Sequence, residues 1–156
     1  MRVTTVLLGW VLLFVGCAGT DHEPVRRALA PEVFGVRLVL DPVSDQSGRL
    51  MTIEGQDKEH RVSESRVVDG RHLRGVDVVR DLEGTFSLSI RLNEEGTSLL
   101  AEFTRRHVDQ RLAVLVGGRL VVAPILKEEI HDGRFLITGR FSEEQVTNMA
   151  RTLLGG

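Results

Sequence analysis

The sequence feature that most constrains the fold is a strictly alternating run of residues at 85–92. Apolar side chains occupy every second position of this run, at Phe86, Leu88, Ile90 and Leu92, and polar side chains occupy the positions between them. Successive side chains of a strand point to opposite faces, so this period of two predicts a strand with one buried and one wet face. Such strands are typical of antiparallel sheets that carry a core on one side.

Further short apolar runs flank this strand, with turn signals between them. We predict these additional strands at 33–41, 61–68, 76–82, 111–116, 119–124 and around Phe135 to Ile137. The polar residues 42–60 predict a loop or a weak hairpin. Gly117-Gly118 lies between two apolar runs and is a strong hairpin signal. Because Pro124 cannot donate a ladder hydrogen bond, the second strand of that hairpin should end there or lie at a sheet edge.

Two helices are predicted, one after the alternating strand and one near residue 156. Asn93 is a good N-cap for the first helix, and Ser142 with Gln145 forms a capping box for the second. The apolar stripe of the first helix consists of Leu99, Leu100 and Phe103. Apolar residues of the second recur at helical spacing, at Val146, Met149, Ala150, Leu153 and Leu154. Together these elements predict an α+β domain, a mostly antiparallel sheet with two main helices packed on one face.

The first residues resemble an export address more than part of a domain. Arg2 precedes an apolar run at 6–15 that is too short to span a bilayer comfortably. The run leads to Gly16-Cys17, which resembles the lipobox of bacterial lipoproteins, where the cysteine carries the lipid. The alternative is an uncleaved membrane anchor with an incidental cysteine. We therefore predict a lipoprotein signal peptide at 1–16, lipidation at Cys17, a flexible tether at 17–32 and the domain at 33–156.

The expected location of the chain follows from this anchor. A lipidated N-terminus holds a protein on a membrane without spanning it. Ala18, instead of Asp, follows the cysteine, and resemblance to enterobacterial sorting then favours the outer membrane over the inner one. We expect the bacterial cell envelope, with the domain on the periplasmic side.

Charge and side-chain chemistry exclude several classes of function. The formal net charge is −2, and nothing resembles the basic patch with interleaved aromatic residues that nucleic-acid binding needs. The sequence contains no G-x-S-x-G motif and no phosphate-binding glycine loop followed by Lys-Ser/Thr. Its five histidines are scattered singly, as is typical of surface or turn residues. We expect no enzyme activity, no cofactor, no metal site and no nucleic-acid partner.

Several motifs occur in a fixed order along the chain. They are Gly75-Val76-Asp77 with Asp81, Leu92 to Gly96, the segment LAVLVGGRLVVAP at 112–124, the segment 130–139 and the helix at 141–154. In this order they resemble the head subdomain of the large periplasmic loop of SecD, a subunit of the bacterial Sec protein-translocation machinery. One departure is Gly117, which stands where that family commonly has Asp.

The resemblance implies a binding role without chemistry, since the SecD head has the proposed task of touching a polypeptide that has crossed the membrane. We expect strand addition to an open sheet edge, with apolar side chains adding contact. The candidate residues for this polypeptide contact are Leu120, Val121, Val122 and Pro124. The expected partners are therefore a polypeptide substrate or an envelope protein. The alternative is a structural or regulatory lipoprotein subunit of another envelope complex.

Overall fold

A computed structural model describes residues 30–41 and 43–156. Within this part the strands are β1 Phe34–Leu38, β2 Arg49–Thr52, β3 Glu59–Val62, β4 Val68–Asp69, β5 Leu73–Arg80, β6 Phe86–Leu92, β7 Leu112–Val116, β8 Arg119–Val122 and β9 Arg134–Ile137. The α-helices are α1 Glu94–Arg106 and α2 Glu143–Leu153. The predicted signal peptide, the lipidation site Cys17 and most of the tether lie outside the described residues.

All strand pairs in the described residues are antiparallel, which together with the two helices confirms the predicted α+β class. The strands form three sheets where the sequence analysis expected one. The sheet orders are β4-β1-β7-β8, β5-β6-β9 and β2-β3. The predicted hairpin around Gly117-Gly118 joins β7 to β8, and both glycines have the positive φ that this two-residue turn requires.

The main core lies between the four-stranded sheet, the three-stranded sheet and the two helices. Its fully buried members come from every one of these layers and include Phe34, Leu88, Ile90, Leu100, Ile137, Val146 and Leu153. Helix α2 packs on β5, β6 and β7, and α1 packs on β4 and β6. Burying each large apolar side chain contributes about 1.5–3 kcal/mol, so this cluster is the dominant stabilising contact of the domain.

A smaller cluster covers the opposite face of the four-stranded sheet. Strand β7 is buried along its whole length, because alternate side chains enter the two clusters. Ala113 and Leu115 of β7 pack with Leu120 of β8 and Val62 of β3. The hairpin formed by β2 and β3 therefore closes this face, and it occupies the region that the sequence predicted as a loop or weak hairpin.

The helix ends agree with their sequence signals. The Asn93 side chain accepts a hydrogen bond from the Gly96 N–H at 2.8 Å, and Ser142 and Gln145 form the reciprocal capping box. The predicted stripe of α1 is wrong at Leu99, which is 39% exposed. Thr104 is fully buried on this helix instead. Its Oγ1 donates to the Leu100 carbonyl at 2.8 Å and accepts from the Ile130 N–H at 3.0 Å, which satisfies the hydroxyl inside the core.

The predicted strand at 61–68 is also wrong, because two short strands with a break take its place. Strand β3 ends at Val62, and β4 contains only Val68 and Asp69. On either side of the break, the Ser63 and Val67 N–H groups donate to carbonyls of β1, each at 2.9 Å. The segment therefore follows β1 at both ends and bulges away from it in between.

A buried polar pair joins β4 to the start of α1. The Asp69 N–H donates to His72 Nδ1 at 3.0 Å, and both side chains are buried. Burial opposes ionisation of Asp69, but hydrogen bonds from Arg71 outweigh it and lower the pKa of the Asp69 carboxyl. A methyl group at Gly96 would lie 2.6 Å from His72 Cβ, so only glycine allows this contact. His60 is buried as well, and the expectation of surface or turn histidines is wrong for His60 and His72.

Candidate functional site

An apolar cavity of about 260 Å³ opens between β8 and β9. These two strands are the edges of the four-stranded and three-stranded sheets, so the cavity lies where the two layers of the main core are not joined by strand pairing. Its wall includes Val122, Pro124, Ile125, Leu126, Ile130 and Leu136. Lys127 and Glu128 also line it and carry opposite charges. The cavity therefore offers apolar contact with no net charge.

Strand β9 presents open backbone groups beside this cavity. Hydrogen-bonded and non-hydrogen-bonded pairs alternate along an antiparallel ladder. Because the Leu92 N–H donates to the Gly133 carbonyl at 2.9 Å, the bonds to β6 fall on Gly133, Phe135 and Ile137. The backbone groups of Arg134 and Leu136 consequently lie on the outer side. The Arg134 N–H is occupied by the Asp132 carboxylate at 3.0 Å, which leaves Leu136 with an outward donor and acceptor.

Exposed apolar side chains extend the cavity at its rim. Leu136 is 55% exposed and Ile125 is 42% exposed, and both residues line the cavity. Single exposed apolar residues need no explanation, but these two adjoin an apolar cavity and an open strand edge. The three features together make this region suitable for contact with an extended chain.

Strand β8 is also an edge, as the position of Pro124 indicated, but two features cover it. The register shifts between Val114 and Leu115, which leaves Val121 as the extra residue of a β-bulge. The Arg111 guanidinium donates to the carbonyl of Ala123 on the outer side. Pro124 follows the strand, and its carbonyl accepts from the Leu112 N–H at 2.9 Å on the inner side. Bulges, charged side chains and proline are the usual means of protecting a sheet edge.

The four residues predicted to contact polypeptide occupy different environments. Leu120 is 2% exposed and belongs to the smaller cluster, so its side chain does not face a partner. Val121 and Val122 are half-buried against the main core, and Pro124 is exposed. Of the four, Val122 and Pro124 line the apolar cavity. The structure thus brings two of these residues together at one surface.

The sequence analysis missed the contribution of β9 to this site. Leu136 lies in the continuous apolar run Phe135 to Ile137, and this run does not show whether the strand lies at the edge or in the centre of its sheet. The strand order decides this property, and that order depends on pairing between residues far apart in sequence, such as Ile90 and Phe135.

The Gly-x-Asp motif has a structural explanation at the other end of the three-stranded sheet. Arg91 lies across Gly75, where a methyl group would come within 2.6 Å of Arg91 Nη2. The Asp77 carboxylate accepts from the same nitrogen at 2.8 Å. Gly75 makes room for the guanidinium and Asp77 holds it in place.

Other classes of site receive no support from side-chain clustering. Among residues 30–41 and 43–156, no group of three or more His, Cys, Asp or Glu side chains could hold a metal ion. In the same residues, neither helix has the length and hydropathy needed to cross a membrane.

Comparison with known proteins identifies the family. The family model described as the SecDF P1 head subdomain matches residues 47–156, which include strands β8 and β9, the Gly-x-Asp motif and every lining residue of the apolar cavity except Val36. The chain belongs to the SecDF P1 head family.

Curated relatives of this P1 head protein are protein translocase subunits SecD. The subunit from Rhodobacter capsulatus is 31% identical over 115 residues, which cover 74% of this chain and 21% of the relative. The subunit from Leptotrichia buccalis is 36% identical over 90 residues, which cover 58% of this chain and 22% of the relative. The chain thus spans about a fifth of the length of these relatives.

A solved structure supports the P1 head fold. The structure described as "Structure and function of a membrane component SecDF that enhances protein export" matches with a TM-score of 0.62. The match covers 79% of this chain and 62% of that one, at 22% sequence identity. At this identity the likeness concerns the fold alone.

Proposed function

We propose that this P1 head protein is a membrane-tethered, non-catalytic module that binds extended apolar stretches of polypeptide during protein export. The observation that carries the proposal is the apolar cavity beside the open edge of β9. A strand edge supplies backbone hydrogen bonds, and an adjoining pocket accepts alternate side chains of the added strand. Both elements of strand addition are therefore present at one surface.

The dimensions of the cavity favour a side chain over a small molecule. Pockets for drug-sized ligands have volumes of about 300–1,000 Å³. The cavity of about 260 Å³ suits one or two apolar side chains and is too small to enclose such a ligand. Since Lys127 and Glu128 balance each other at its wall, we expect a preference for uncharged segments.

The mode of binding follows from the outward groups of β9. An extended segment pairs with the Leu136 N–H and C=O and places one apolar side chain against Val122 and Ile125. Backbone pairing is independent of sequence, so a module of this kind accepts many unfolded chains and few folded ones. This breadth is what contact with varied exported proteins requires.

The tether and the location are part of the same proposal. Lipidation at Cys17 holds the domain on the periplasmic side of a bacterial membrane, with the outer membrane favoured over the inner. The residues at 17–32 then allow the domain to reach chains that emerge nearby. Mass spectrometry of the purified chain tests this part, because a diacylglycerol-modified Cys17 at the mature N-terminus is expected and a Cys17→Ala variant should lose it.

The relatives provide the context of protein export. They carry the name protein translocase subunit, and this chain matches about a fifth of each. Shared head architecture supports a shared task, but architecture alone does not determine function. The polypeptide contact therefore needs its own experiment.

The test is a titration of the full chain in detergent with a fluorescent, permanently unfolded secretory protein and with its folded form. We expect saturable binding of the unfolded form only. Ile125→Glu should weaken binding about tenfold, because it introduces a charge at the apolar cavity. Val43→Glu is the matched control, since Val43 is 90% exposed and lies away from the cavity.

Two results would overturn the proposal. One is the absence of binding at about 100 μM, which means an affinity weaker than roughly −5.5 kcal/mol. The other is equal binding of the folded and unfolded forms. Either result leaves the alternative of a structural or regulatory subunit of another envelope complex, and purification of a stable complex from the envelope would then support that alternative.

A further inference from the structure

A row of three arginines crosses the end of the three-stranded sheet, away from the apolar cavity. Arg91 of the central strand β6 lies directly opposite Arg134 of β9. On the other side, the register of β5 shifts between Leu73 and Gly75, so Arg74 is an extra residue next to Arg91. All three arginines line a second cavity of about 470 Å³.

This row breaks the usual pairing preference of a sheet. Arg91 and Arg134 form a non-hydrogen-bonded pair, the kind in which side chains approach most closely, with Cα atoms about 4.5 Å apart. Like charges directly opposite each other destabilise a sheet. Positions that break a local folding rule are frequently functional.

One arginine of the row, Arg134, has no acidic partner for its guanidinium among the described residues. Asp77 pairs with Arg91 at 2.8 Å. The Asp132 carboxylate is engaged with the backbone N–H of Arg134, and Glu94 occupies the first position of α1, where the helix end attracts an acid. No ion pair of the Arg134 guanidinium is recorded within the described part of the chain.

The central arginine is held in place by the fold. A methyl group at Gly75 would lie 2.6 Å from Arg91 Nη2, so the guanidinium rests on the backbone of β5, and Asp77 fixes it from the same strand. The bulge at Arg74 brings a second guanidinium to the same face, as bulges commonly do beside functional sites. An ordered donor loses less entropy when it binds a ligand.

We infer that the three-arginine cavity binds a phosphate group. One bidentate guanidinium already satisfies the two oxygens of a carboxylate, whereas the oxygens of a phosphate accept hydrogen bonds from several arginines at once. The cavity of about 470 Å³ has room for a phosphate together with the group attached to it. The guanidinium groups supply the positive charge of this site, and the N-terminus of α1 does not, because Glu94 and Glu95 already occupy that end of the helix.

Phosphate of this kind comes from a phospholipid headgroup or from free phosphate. The site is separate from the apolar cavity, and the inference does not rest on the proposed polypeptide binding. A phosphate bound at the row would neutralise the repulsion between Arg91 and Arg134. Binding should therefore raise the thermal stability of the protein.

The test is a titration of the isotope-labelled full chain in detergent with inorganic phosphate, followed by the arginine Nε–H resonances. We expect saturable shifts at Arg91 and Arg134. Arg134→Gln should weaken phosphate binding about tenfold, because a charge-assisted hydrogen bond is lost. Arg140→Gln is the matched control, since Arg140 is an exposed arginine beyond the opposite end of β9 and outside the cavity. Equal affinity of these two variants, or no saturation, would overturn the inference.

Titrations with short-chain phosphatidylglycerol and phosphatidylcholine, each used as a soluble monomer, distinguish a phospholipid headgroup from free phosphate. Phosphatidylglycerol that binds about tenfold more tightly than inorganic phosphate identifies a lipid headgroup, and equal or weaker binding identifies free phosphate. A glutamate-rich peptide that binds the row in preference to every phosphate compound would overturn the inference.

A stability measurement separates a ligand site from a structural cluster. Without phosphate, Arg134→Gln should raise the midpoint of thermal unfolding, since it relieves like-charge repulsion. With phosphate, the stabilisation of the wild-type protein should exceed that of the variant. A fall in the midpoint of Arg134→Gln without phosphate would show that the row supports the fold, and would contradict the inference.

Discussion

Strands β8 and β9 flank the same apolar cavity, but their outer edges differ. The edge of β8 carries the bulge at Val121 and the guanidinium of Arg111 on the Ala123 carbonyl. The edge of β9 carries an outward N–H and C=O at Leu136, with an apolar side chain that is 55% exposed. An uncovered edge invites pairing with other chains, so a fold normally covers it.

The difference separates a protected edge from one that is available for pairing. At β8 the covered edge belongs to a strand that also supports the smaller cluster beneath the β2-β3 hairpin, through the buried side chain of Leu120. At β9 the open position adjoins a cavity and no second cluster. We therefore propose that the edge of β8 serves fold stability and that strand addition takes place at the edge of β9, and the following changes test this division.

The largest expected effect distinguishes two side chains of β8. Leu120→Ala should lower the free energy of unfolding by about 2–5 kcal/mol, because a fully buried leucine leaves a cavity behind. Val122→Ala removes a half-buried side chain and should cost only about 1 kcal/mol, while it weakens polypeptide binding. Urea denaturation of both variants gives the comparison. Equal losses of stability would contradict the placement of Leu120 in the core and of Val122 at the cavity.

The next effect concerns Arg111, which covers the edge of β8. Arg111→Met keeps an apolar stem but removes the donor to the Ala123 carbonyl, and should lower the free energy of unfolding by about 1.5 kcal/mol. It should also promote concentration-dependent association, measured by light scattering, because the edge becomes uncovered. Arg119→Met, on β8 itself, is the control. Association of both variants to the same degree would show that Arg111 does not protect the edge.

The smallest effect depends on pH. Burial lowers the pKa of His60, and the charges of Arg111 and Lys58 lower it further. The unfolded chain then binds more protons than the folded chain between the folded pKa and the ordinary value near 6.5, so stability falls as the pH drops through this window. Hydrogen exchange at pH 7.5 and 5.5 should show loosening of β3 and β8 but not of β9. His60→Gln should remove this difference between strands. Equal loosening of β3, β8 and β9 would count against the separate roles of β8 and β9.

Local signals predicted much of this fold. The alternation at 85–92, the hairpin at Gly117-Gly118 and the caps of Asn93 and Ser142 each rest on residues close together in sequence. Their geometry follows from short-range sterics and hydrogen bonding, which is why they are readable from one sequence. The burial of Thr104 in α1 and the break at 63–67 could not be predicted, because Thr104 bonds to Ile130 and the break depends on bonds to β1.

The site was less predictable than the fold. Val122 and Pro124 were identified from the apolar hairpin, whereas the open position Leu136 depends on which strand lies at the edge of its sheet. Gly96 shows the same limit, since only the approach of His72 explains why a helix begins with a glycine. Long-range contacts of this kind leave no local trace in a single sequence.

The central claim is that β9, and not β8, accepts an added strand. Leu136→Pro removes the outward N–H at a position where proline is tolerated, because this N–H makes no bond to β6. Val78→Pro is the matched control, since the same alternation places its N–H on the outer edge of β5, away from the cavity.

The decisive measurement is the affinity of the full chain for a fluorescent unfolded secretory protein, compared among the wild-type protein and these two variants. Our account predicts that Leu136→Pro binds about tenfold more weakly than the wild-type protein, while Val78→Pro binds as the wild-type protein does. Circular dichroism should show that both variants are folded. Unchanged affinity of a folded Leu136→Pro protein would contradict strand addition at β9.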